Sequence, residues 1–204
     1  NISLPSLRID AFSLDVMGKV QDIRKSSLTF APEAGSQRLR NVINKGLTEE
    51  VILNGAGMAF EGGWNKVKLY FMLGLPTETE DDMRAIAELA NKIAVRYYEI
   101  PKEERNGKCQ ITISTSFFVP KPFTPFQWAP MARPEIVDER IKAVRGAIKS
   151  RSIVYNYHEQ ETSFMEAVFA RGDRRTCDVL IKAFEKGAKF DGWSEYFNME
   201  IWKE

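Results

Sequence analysis

The chain has 204 residues, enough for one α/β domain or for one domain with a small appendage. Its 29 lysines and arginines offset its 28 aspartates and glutamates, so the net charge of +1 gives no electrostatic reason to expect general affinity for nucleic acids or membranes. Hydrophobic residues make up 44% of the sequence, as in ordinary globular domains, and no apolar run approaches the roughly 20 residues of a transmembrane helix.

The sequence offers few metal ligands. Its two cysteines, Cys109 and Cys177, are far apart, and His158 is its single histidine. This composition disfavours a disulfide scaffold or a zinc site and favours a reducing, cytoplasmic location. No signal peptide is recognised, and because the sequence starts at Asn1 with strand-like residues, we expect it to be a piece of a longer protein.

The predicted elements alternate between strand and helix from the start of the chain. A short strand over 2–9, a weak helix over 13–24 and a buried strand over 27–31 come first. Pro-Glu-Ala-Gly-Ser then leads into a helix. The apolar face and glycine stop of this helix are Leu39, Val42, Ile43 and Gly46. Thr48 caps the next helix, and Glu-Gly-Gly at 61–63 ends it.

The clearest strand pattern covers 67–73, where apolar residues alternate with more polar ones. After Gly-Leu-Pro, Thr79 and Asp82 form a capping-box pattern that opens a helix over about 80–97. A strand over 111–119 follows and runs into Pro-Lys-Pro-Phe-Thr-Pro-Phe-Gln-Trp-Ala-Pro. The four prolines of this segment exclude both a helix and a central strand.

The rest of the chain is mostly helical. Pro134 suits the first turn of a helix, and 152–157 predicts a last short strand. Three further helices are predicted, beginning with a capping box at Ser163 and continuing over about 174–186 and 192–203. Strands separated by helices of these lengths predict a parallel sheet built from right-handed βαβ units, so the predicted fold class is α/β.

The strand ends are where a parallel α/β protein would bind a ligand. Glu33 directly follows a buried strand and could accept hydrogen bonds from the hydroxyls of a sugar, while Gly35 would let the backbone pass close to the ligand. Alternatively, this segment is a solvated turn in which Ser36 caps the following helix. Residues 74–79 are open to the same two interpretations. The proline-rich aromatic segment predicts either a lid for a planar ring or a packed loop.

Taken in order, four strand ends resemble those of radical S-adenosylmethionine (SAM) enzymes, in particular their tRNA-methylthiotransferase-like branch. The segments are SLPSLRID, LTFAPEAGSQRLRNVINKG, VKLYFMLGLPTETEDD and STSFFVPKPFTPFQW. With its tail included, the chain is most similar to radical SAM proteins that carry a cobalamin-binding-type domain and have no settled substrate. The resemblance implies a partial TIM-like (β/α) barrel fragment, with strands three to six in residues 1–133 and the last helix, last strand and helical tail in 134–204.

The resemblance also implies a SAM site at these strand ends. Glu33 matches the residue that contacts the ribose hydroxyls, and Lys45 matches a basic residue that meets the SAM carboxylate. Ser36 lies in the same turn as Glu33. The residues matched to the adenine site are Leu73, Gly74, Phe118 and Val119. The residues expected to lie under an unknown substrate are Arg8, Asp10 and Lys121.

Three departures limit the resemblance. Ala34 stands where the related motif has serine and Thr77 where it has glycine, so we expect the local loop geometry to differ. The Cys-x-x-x-Cys-x-x-Cys segment that ligates a [4Fe–4S] cluster is absent, and neither Cys109 nor Cys177 matches it. We therefore expect no catalytic residue, no metal ligand and no tightly bound cofactor in this fragment. SAM and the [4Fe–4S] cluster, with cobalamin as a further candidate, would belong to the full-length protein.

The sequence leaves three functions open. The first is a fragment of a radical SAM iron–sulfur oxidoreductase that, at full length, cleaves SAM reductively to a 5′-deoxyadenosyl radical. The second is a non-catalytic barrel-like module that binds RNA or a protein, although the neutral charge balance weakens the RNA version. The third, a phosphate-binding barrel enzyme, lacks a glycine-rich phosphate loop and a convincing acid/base pair.

The expected partners follow from the half barrel. The first is the missing N-terminal half of the same barrel. Open sheet edges also predict either pairing with a second copy or cover by the helical tail. No membrane partner is expected, and a nucleic-acid partner stays open.

Overall fold

The structure, a computed structural model, describes residues 27–203. The strand predicted over 2–9 and the helix predicted over 13–24 lie outside the described residues. No helix within 27–203 is long and apolar enough to cross a membrane.

Four strands form an open, all-parallel sheet in the order β1-β2-β3-β4. The strands are β1 (Leu28–Glu33), β2 (Lys66–Leu73), β3 (Gln110–Phe117) and β4 (Ile153–Tyr157). The helices are α1 (Gln37–Val42), α2 (Glu49–Glu61), α3 (Glu80–Glu99), α4 (Pro134–Ala147), α5 (Gln160–Arg171), α6 (Thr176–Glu185) and α7 (Met199–Lys203), with a 3₁₀ turn over Lys102–Glu104. The predicted α/β class and parallel sheet are confirmed, because each strand pairs in parallel with the next one along the chain.

One face of the sheet carries the core. Along β2, buried residues alternate with half-buried or exposed ones, as the period of two predicts. The buried residues are Val67, Leu69, Phe71 and Leu73. They form one cluster with the buried side of α3, which includes Met83, Ile86 and Ile93. Since a buried side chain of this size contributes about 1.5–3 kcal/mol, the layer of helices on this face is a main source of stability.

The opposite face of the sheet is more polar. Lys68, Tyr70, Thr112 and Ser116 lie on it and are half-buried. The Lys68 ammonium is 4.8 Å from the centre of the Tyr70 ring, so this charge is stabilised by an aromatic neighbour. Parallel sheets are usually covered on both faces, and this second face is the less covered of the two within 27–203.

Capping residues place several helix ends where the sequence predicts them. Thr48 Oγ1 accepts a hydrogen bond from Val51 N at 3.2 Å, which caps α2. Thr79 and Asp82 form the predicted capping box at the start of α3. Pro134 is the first residue of α4, where its missing N–H is not needed.

The predicted stop of α1 is wrong. α1 ends at Val42, whose side chain is exposed rather than part of a buried face. Asn44, with φ +54°, is the left-handed residue that ends the helix, where Gly46 was expected. The chain then turns back on itself, and Lys45 N donates a hydrogen bond to Arg40 O at 2.9 Å. This 6→1 hydrogen bond closes a Schellman motif.

Two predictions in the helical tail are also wrong. Ser163 does not cap a helix, because α5 already begins at Gln160 and the Ser163 hydroxyl donates within it to Glu159 O at 3.3 Å. The helix expected over 192–203 is reduced to α7. Trp193 N donates to Phe190 O and Tyr196 N donates to Trp193 O, both at 2.9 Å, so i, i+3 turns occupy the start of this range.

The β1–α1 turn packs directly on the backbone of α3. A Cβ added to Gly35 would lie 2.3 Å from Ile86 N and 2.7 Å from Ile86 Cα. On the side where a Cβ would stand, the backbone that lies close to Gly35 is therefore that of α3 and not a ligand. Glycine is needed here for helix packing.

We predict that Gly35→Ala lowers the free energy of unfolding by about 3 kcal/mol, because the added methyl group meets backbone atoms that cannot rotate away. Chemical denaturation measures the change. Gly57→Ala is the matched control, since an added Cβ in the middle of α2 meets nothing within 4 Å. We expect this control to be neutral or to gain about 1 kcal/mol from helix propensity. Equal effects of the two variants would contradict the packing explanation.

Candidate functional site

The carboxyl ends of β1, β2 and β3 lie side by side along one edge of the sheet. In the parallel register Glu33 pairs with Phe71, and Leu73 pairs with Phe117. Neighbouring strands are about 4.8 Å apart, so the three ends span about 10 Å. We call this region the strand-end edge. The predicted site residues on it or in the loops that leave it are Glu33, Ser36, Leu73, Gly74, Phe118, Val119 and Lys121, whereas Lys45 lies in the loop between α1 and α2.

Glu33 sits in an irregular part of β1. Phe30 pairs with Leu69 but Glu33 pairs with Phe71, so β1 contains one extra residue at this point. Glu33 has φ +67°, a conformation that is uncommon for a residue other than glycine. Bulges of this kind re-aim a side chain and often occur beside binding sites. The bulge therefore points the Glu33 side chain away from the direction that regular alternation along β1 would give it.

Glu33 and Lys45 contact each other. Lys45 Nζ lies 3.3 Å from Glu33 Oε1, and their side chains are 33% and 29% exposed, respectively. The Schellman turn after α1 brings Lys45 back toward the end of β1, which closes the twelve-residue separation in sequence. Because both groups stay accessible, one ligand could offer hydroxyl donors to the carboxylate and an anion to the ammonium.

Ser36 is occupied by protein partners. Its hydroxyl oxygen accepts a hydrogen bond from Leu39 N at 3.0 Å, which caps α1. The same hydroxyl donates to Asp82 Oδ1 at 2.5 Å. Ser36 therefore connects the start of α1 to the first turn of α3, and its role within this structure is to hold the turn that carries Glu33.

Asp82 is the centre of a buried network that sequence reasoning recognised only as part of a capping box. Its carboxylate accepts hydrogen bonds from Ser36, from the Arg38 guanidinium and from the Thr79 N–H and hydroxyl. Burial alone would raise the pKa of Asp82, but these hydrogen bonds outweigh burial and lower the pKa to about 2. Arg38 also donates to Thr77 O at 2.8 Å. The network joins the β1–α1 turn to the β2–α3 turn.

Arg40 was also missed as a structural residue. Its side chain is fully buried and donates to Gly35 O at 2.7 Å, Ala34 O at 3.1 Å and Leu47 O at 2.9 Å. Burial lowers the pKa of its guanidinium. Arg40 therefore satisfies backbone carbonyls of the turn that would otherwise be buried without partners. A local helix pattern places this arginine on the surface, so only the folded structure reveals it.

Glu78 closes the turn after β2. Its carboxylate accepts hydrogen bonds from Gly74 N at 2.9 and 3.0 Å and from Leu75 N at 3.3 Å, and its side chain is 3% exposed. Arg140 Nε, from α4, lies 3.2 Å from Glu78 Oε1. Burial raises the pKa of Glu78 to about 7, although the two backbone N–H groups and Arg140 oppose the shift.

The predicted adenine-site residues form a wall at the ends of β2 and β3, and two of its backbone N–H groups already have partners within the protein. Phe118 N donates to Leu73 O at 2.8 Å, and the Phe118 ring packs edge-on against Phe126 with centroids 6.0 Å apart. Gly74 has φ +83°, and its N–H is taken by Glu78. The N–H groups of Gly74 and Phe118 are thus bonded within the protein. A ring at this wall would gain apolar contact from these residues rather than hydrogen bonds from those two groups.

The loop after β3 contains both packed and exposed aromatic residues. Phe126 packs on Phe118, whereas Phe123 and Trp128 are 98% and 85% exposed. Lys121 forms an ion pair with Glu166 of α5, which anchors the loop to the helical tail. The two other predicted substrate residues, Arg8 and Asp10, lie outside the described residues.

The cysteines of this chain do not fit an iron–sulfur cluster, which needs three thiolates. Burial raises the pKa of the Cys109 thiol to about 11, which disfavours its thiolate form, and Cys177 is exposed in α6. Within the part of the chain that the structure describes, no group of three His, Cys, Asp or Glu side chains is arranged to hold a metal ion. A groove of about 630 Å³ between the second half of α2 and the end of α3 is lined by none of the predicted site residues that fall within 27–203.

Comparison with known proteins identifies a relative but no activity. No family model matches the sequence. The chain is 32% identical over 213 residues to the uncharacterized protein MJ0966 of Methanocaldococcus jannaschii, and the match covers 100% of this chain and 44% of that protein. The chain thus spans less than half the length of this relative. Its function must be argued from the site.

We predict that the stability of the protein falls as the pH rises from about 5 to about 8. The pKa of Glu78 is about 7 in the folded chain against 4.5 as its ordinary value, so folding favours the protonated carboxyl and this stabilisation is lost as the pH passes 7. The difference corresponds to about 3 kcal/mol. Denaturation at a series of pH values should show this slope in the wild type and not in Glu78→Gln. Glu80→Gln, which alters an exposed carboxylate of α3, should keep the slope, and its loss there would contradict the assignment to Glu78.

Proposed function

We propose that this chain forms the SAM-binding second half of a radical SAM iron–sulfur enzyme, as strands three to six of a partial TIM-like barrel with a helical tail. The observation that carries the proposal is the Glu33–Lys45 pair at the end of β1, 3.3 Å apart and accessible to solvent. The ends of β2 and β3 follow beside it in the order in which the resembling motifs occur. This arrangement suits a ligand that combines hydroxyl groups, a carboxylate and a planar ring.

The sheet supports the barrel part of the proposal. β1 to β4 are parallel and pair in chain order, as consecutive strands of a (β/α) barrel do. Helices pack on one face, and the other face carries half-buried polar groups such as Lys68, Thr112 and Ser116. In a barrel this second face would turn toward the interior. Under this proposal, the strand predicted over 2–9 would lie beside β1, and the first two strands would come from the remainder of the full-length protein.

The charged pair has a defined role in this proposal. Glu33 would accept hydrogen bonds from the two ribose hydroxyls, as acidic residues at strand ends do in other nucleotide sites. Lys45 would attract the SAM carboxylate as a point charge. When SAM binds, its hydroxyl groups and its carboxylate would replace the Glu33–Lys45 contact. Each charged side chain would therefore keep a partner.

The chemistry itself requires groups outside this chain. SAM that is cleaved reductively supplies a 5′-deoxyadenosyl radical able to abstract hydrogen from a substrate. The cysteines present here do not fit the [4Fe–4S] cluster that delivers the electron, so the proposal requires a Cys-x-x-x-Cys-x-x-Cys segment elsewhere in the full-length protein. The substrate and the use of cobalamin stay open, and the isolated fragment is expected to be inactive.

We predict that Glu33→Gln and Lys45→Ala in the full-length protein each weaken SAM binding about tenfold, since each removes one charge-assisted contact. Glu33→Gln keeps the side-chain length while it removes the charge. Isothermal titration calorimetry with SAM measures the affinities. Lys92→Ala is the matched control, because Lys92 pairs with Glu49 on the helical side of the fold and should leave the affinity unchanged.

Two results would count against the proposal. One is unchanged SAM affinity in both site variants when the wild type binds SAM, which would remove the assignments of Glu33 and Lys45. The other is a full-length sequence without the three-cysteine segment, which would favour the alternative of a barrel-like module that binds RNA or a protein. The sequence of the roughly 100–200 residues that precede this chain in its parent gene, about one domain, decides the second point.

A further inference from the structure

The sheet does not by itself fix the distance between the ends of β1 and β2. Because of the bulge between Phe30 and Glu33, the regular ladder of β1 and β2 is interrupted just before Glu33. Regular ladder hydrogen bonds would otherwise fix the distance between the ends of the two strands. Glu33 and the turn after β2 therefore need another connection if they are to hold one ligand together.

A side-chain clamp supplies this connection. Arg38, from α1, donates to the Asp82 carboxylate through Nε and Nη2, and its Nη2 also donates to Thr77 O at 2.8 Å. The Asp82 carboxylate accepts from Ser36 at the start of α1 and from Thr79 N at 2.8 Å at the start of α3. One carboxylate and one guanidinium thus touch both turns at once.

The backbone at Thr77 shows that the clamp holds a strained turn. Thr77 has φ +66°, which is unfavourable for a β-branched residue. Such a conformation persists where surrounding contacts hold it. Arg38 provides two of these contacts, to Thr77 O and, at 3.3 Å, to Thr77 Oγ1. Asp82 is buried and fully supplied with donors, so it has no hydrogen-bonding capacity left for a ligand.

We propose that Arg38 and Asp82 are positioning residues that set the distance between the turn carrying Glu33 and the turn after Gly74, so that a single SAM molecule contacts both. This inference rests on the proposed function for its ligand, but the coupling between the two turns is a property of the protein alone. The planar fork of arginine is required, because only a fork reaches Asp82 and Thr77 together.

The first experiment measures the coupling without ligand. In full-length Arg38→Ala, hydrogen exchange should become about tenfold faster at two amides, Leu39 N–H and Thr79 N–H. These amides donate to Ser36 and Asp82, which the substitution leaves in place. Faster exchange at both amides therefore reports that the two turns have come apart. Faster exchange at one amide alone, or at neither, would overturn the clamp.

The second experiment measures positioning. Arg38→Lys and Asp82→Asn should weaken SAM binding about tenfold in titration calorimetry, because a small displacement between two contact regions is costly for a ligand that spans them. Adenine, which touches only the side of β2 and β3, should bind these variants as it binds the wild type in ligand-observed NMR. Equal losses for SAM and adenine would show a merely structural role and overturn positioning.

The control is Arg84→Ala. It removes an arginine–carboxylate pair with Glu80 within α3, the helix that carries Asp82, and does not alter the β1–α1 turn. It should leave both the exchange rates and the SAM affinity unchanged. Failure of the wild-type protein to bind SAM would overturn the proposed function and the positioning of SAM with it. The exchange experiment would still decide whether Arg38 and Asp82 couple the turns.

Discussion

The close contact between the β1–α1 turn and α3 determines where the residues of the strand-end edge lie. It is possible only because Gly35 has no side chain, since any Cβ there would meet the backbone of Ile86. The contact brings Ser36 and Arg38 onto the first turn of α3, where Asp82 receives them. Arg40 satisfies the carbonyls that this packing buries. The position of Glu33 therefore depends on a helix that begins more than forty residues later in the sequence.

The two buried carboxylates of the β2–α3 turn behave oppositely because their donors differ. Asp82 meets the forked guanidinium of Arg38 and two hydroxyls, and its pKa falls to about 2, so it stays ionised over the whole physiological range. The Glu78 carboxylate is held mainly by the N–H groups of Gly74 and Leu75, with Arg140 beside it. Burial raises the pKa of Glu78 to about 7. The link between the turns is thus insensitive to pH near neutrality, whereas the closure of the turn on Gly74 is sensitive to it.

Local patterns were sufficient for most of the fold and insufficient for the contacts within the site. The alternation along β2 and the caps at Thr48 and Thr79 depend on neighbouring residues, so the sequence could show them. The end of α1 was predicted at Gly46, but asparagine also adopts the left-handed conformation. Asn44 lies nearer to the helix and ends it. The roles of Arg38, Arg40 and Asp82 depend on tertiary contacts, which no local period encodes. Lys45 was selected only through the resemblance to known enzymes, and its contact with Glu33 was not predicted.

The groups at the strand-end edge within 27–203 would face a ligand from one direction. The Glu33–Lys45 pair and the wall at Phe118 offer a ligand charge and apolar contact from one side only. A ligand bound tightly by proteins is usually enclosed over most of its surface. The polar face of the sheet and the edge of β1 that is unpaired within 27–203 are where further strands could complete such an enclosure. The relative MJ0966 is the longer protein, since the match covers 44% of it. Under the proposed function, the strand-end edge would be one wall of a SAM pocket, with its two turns held at a set distance by Arg38 and Asp82.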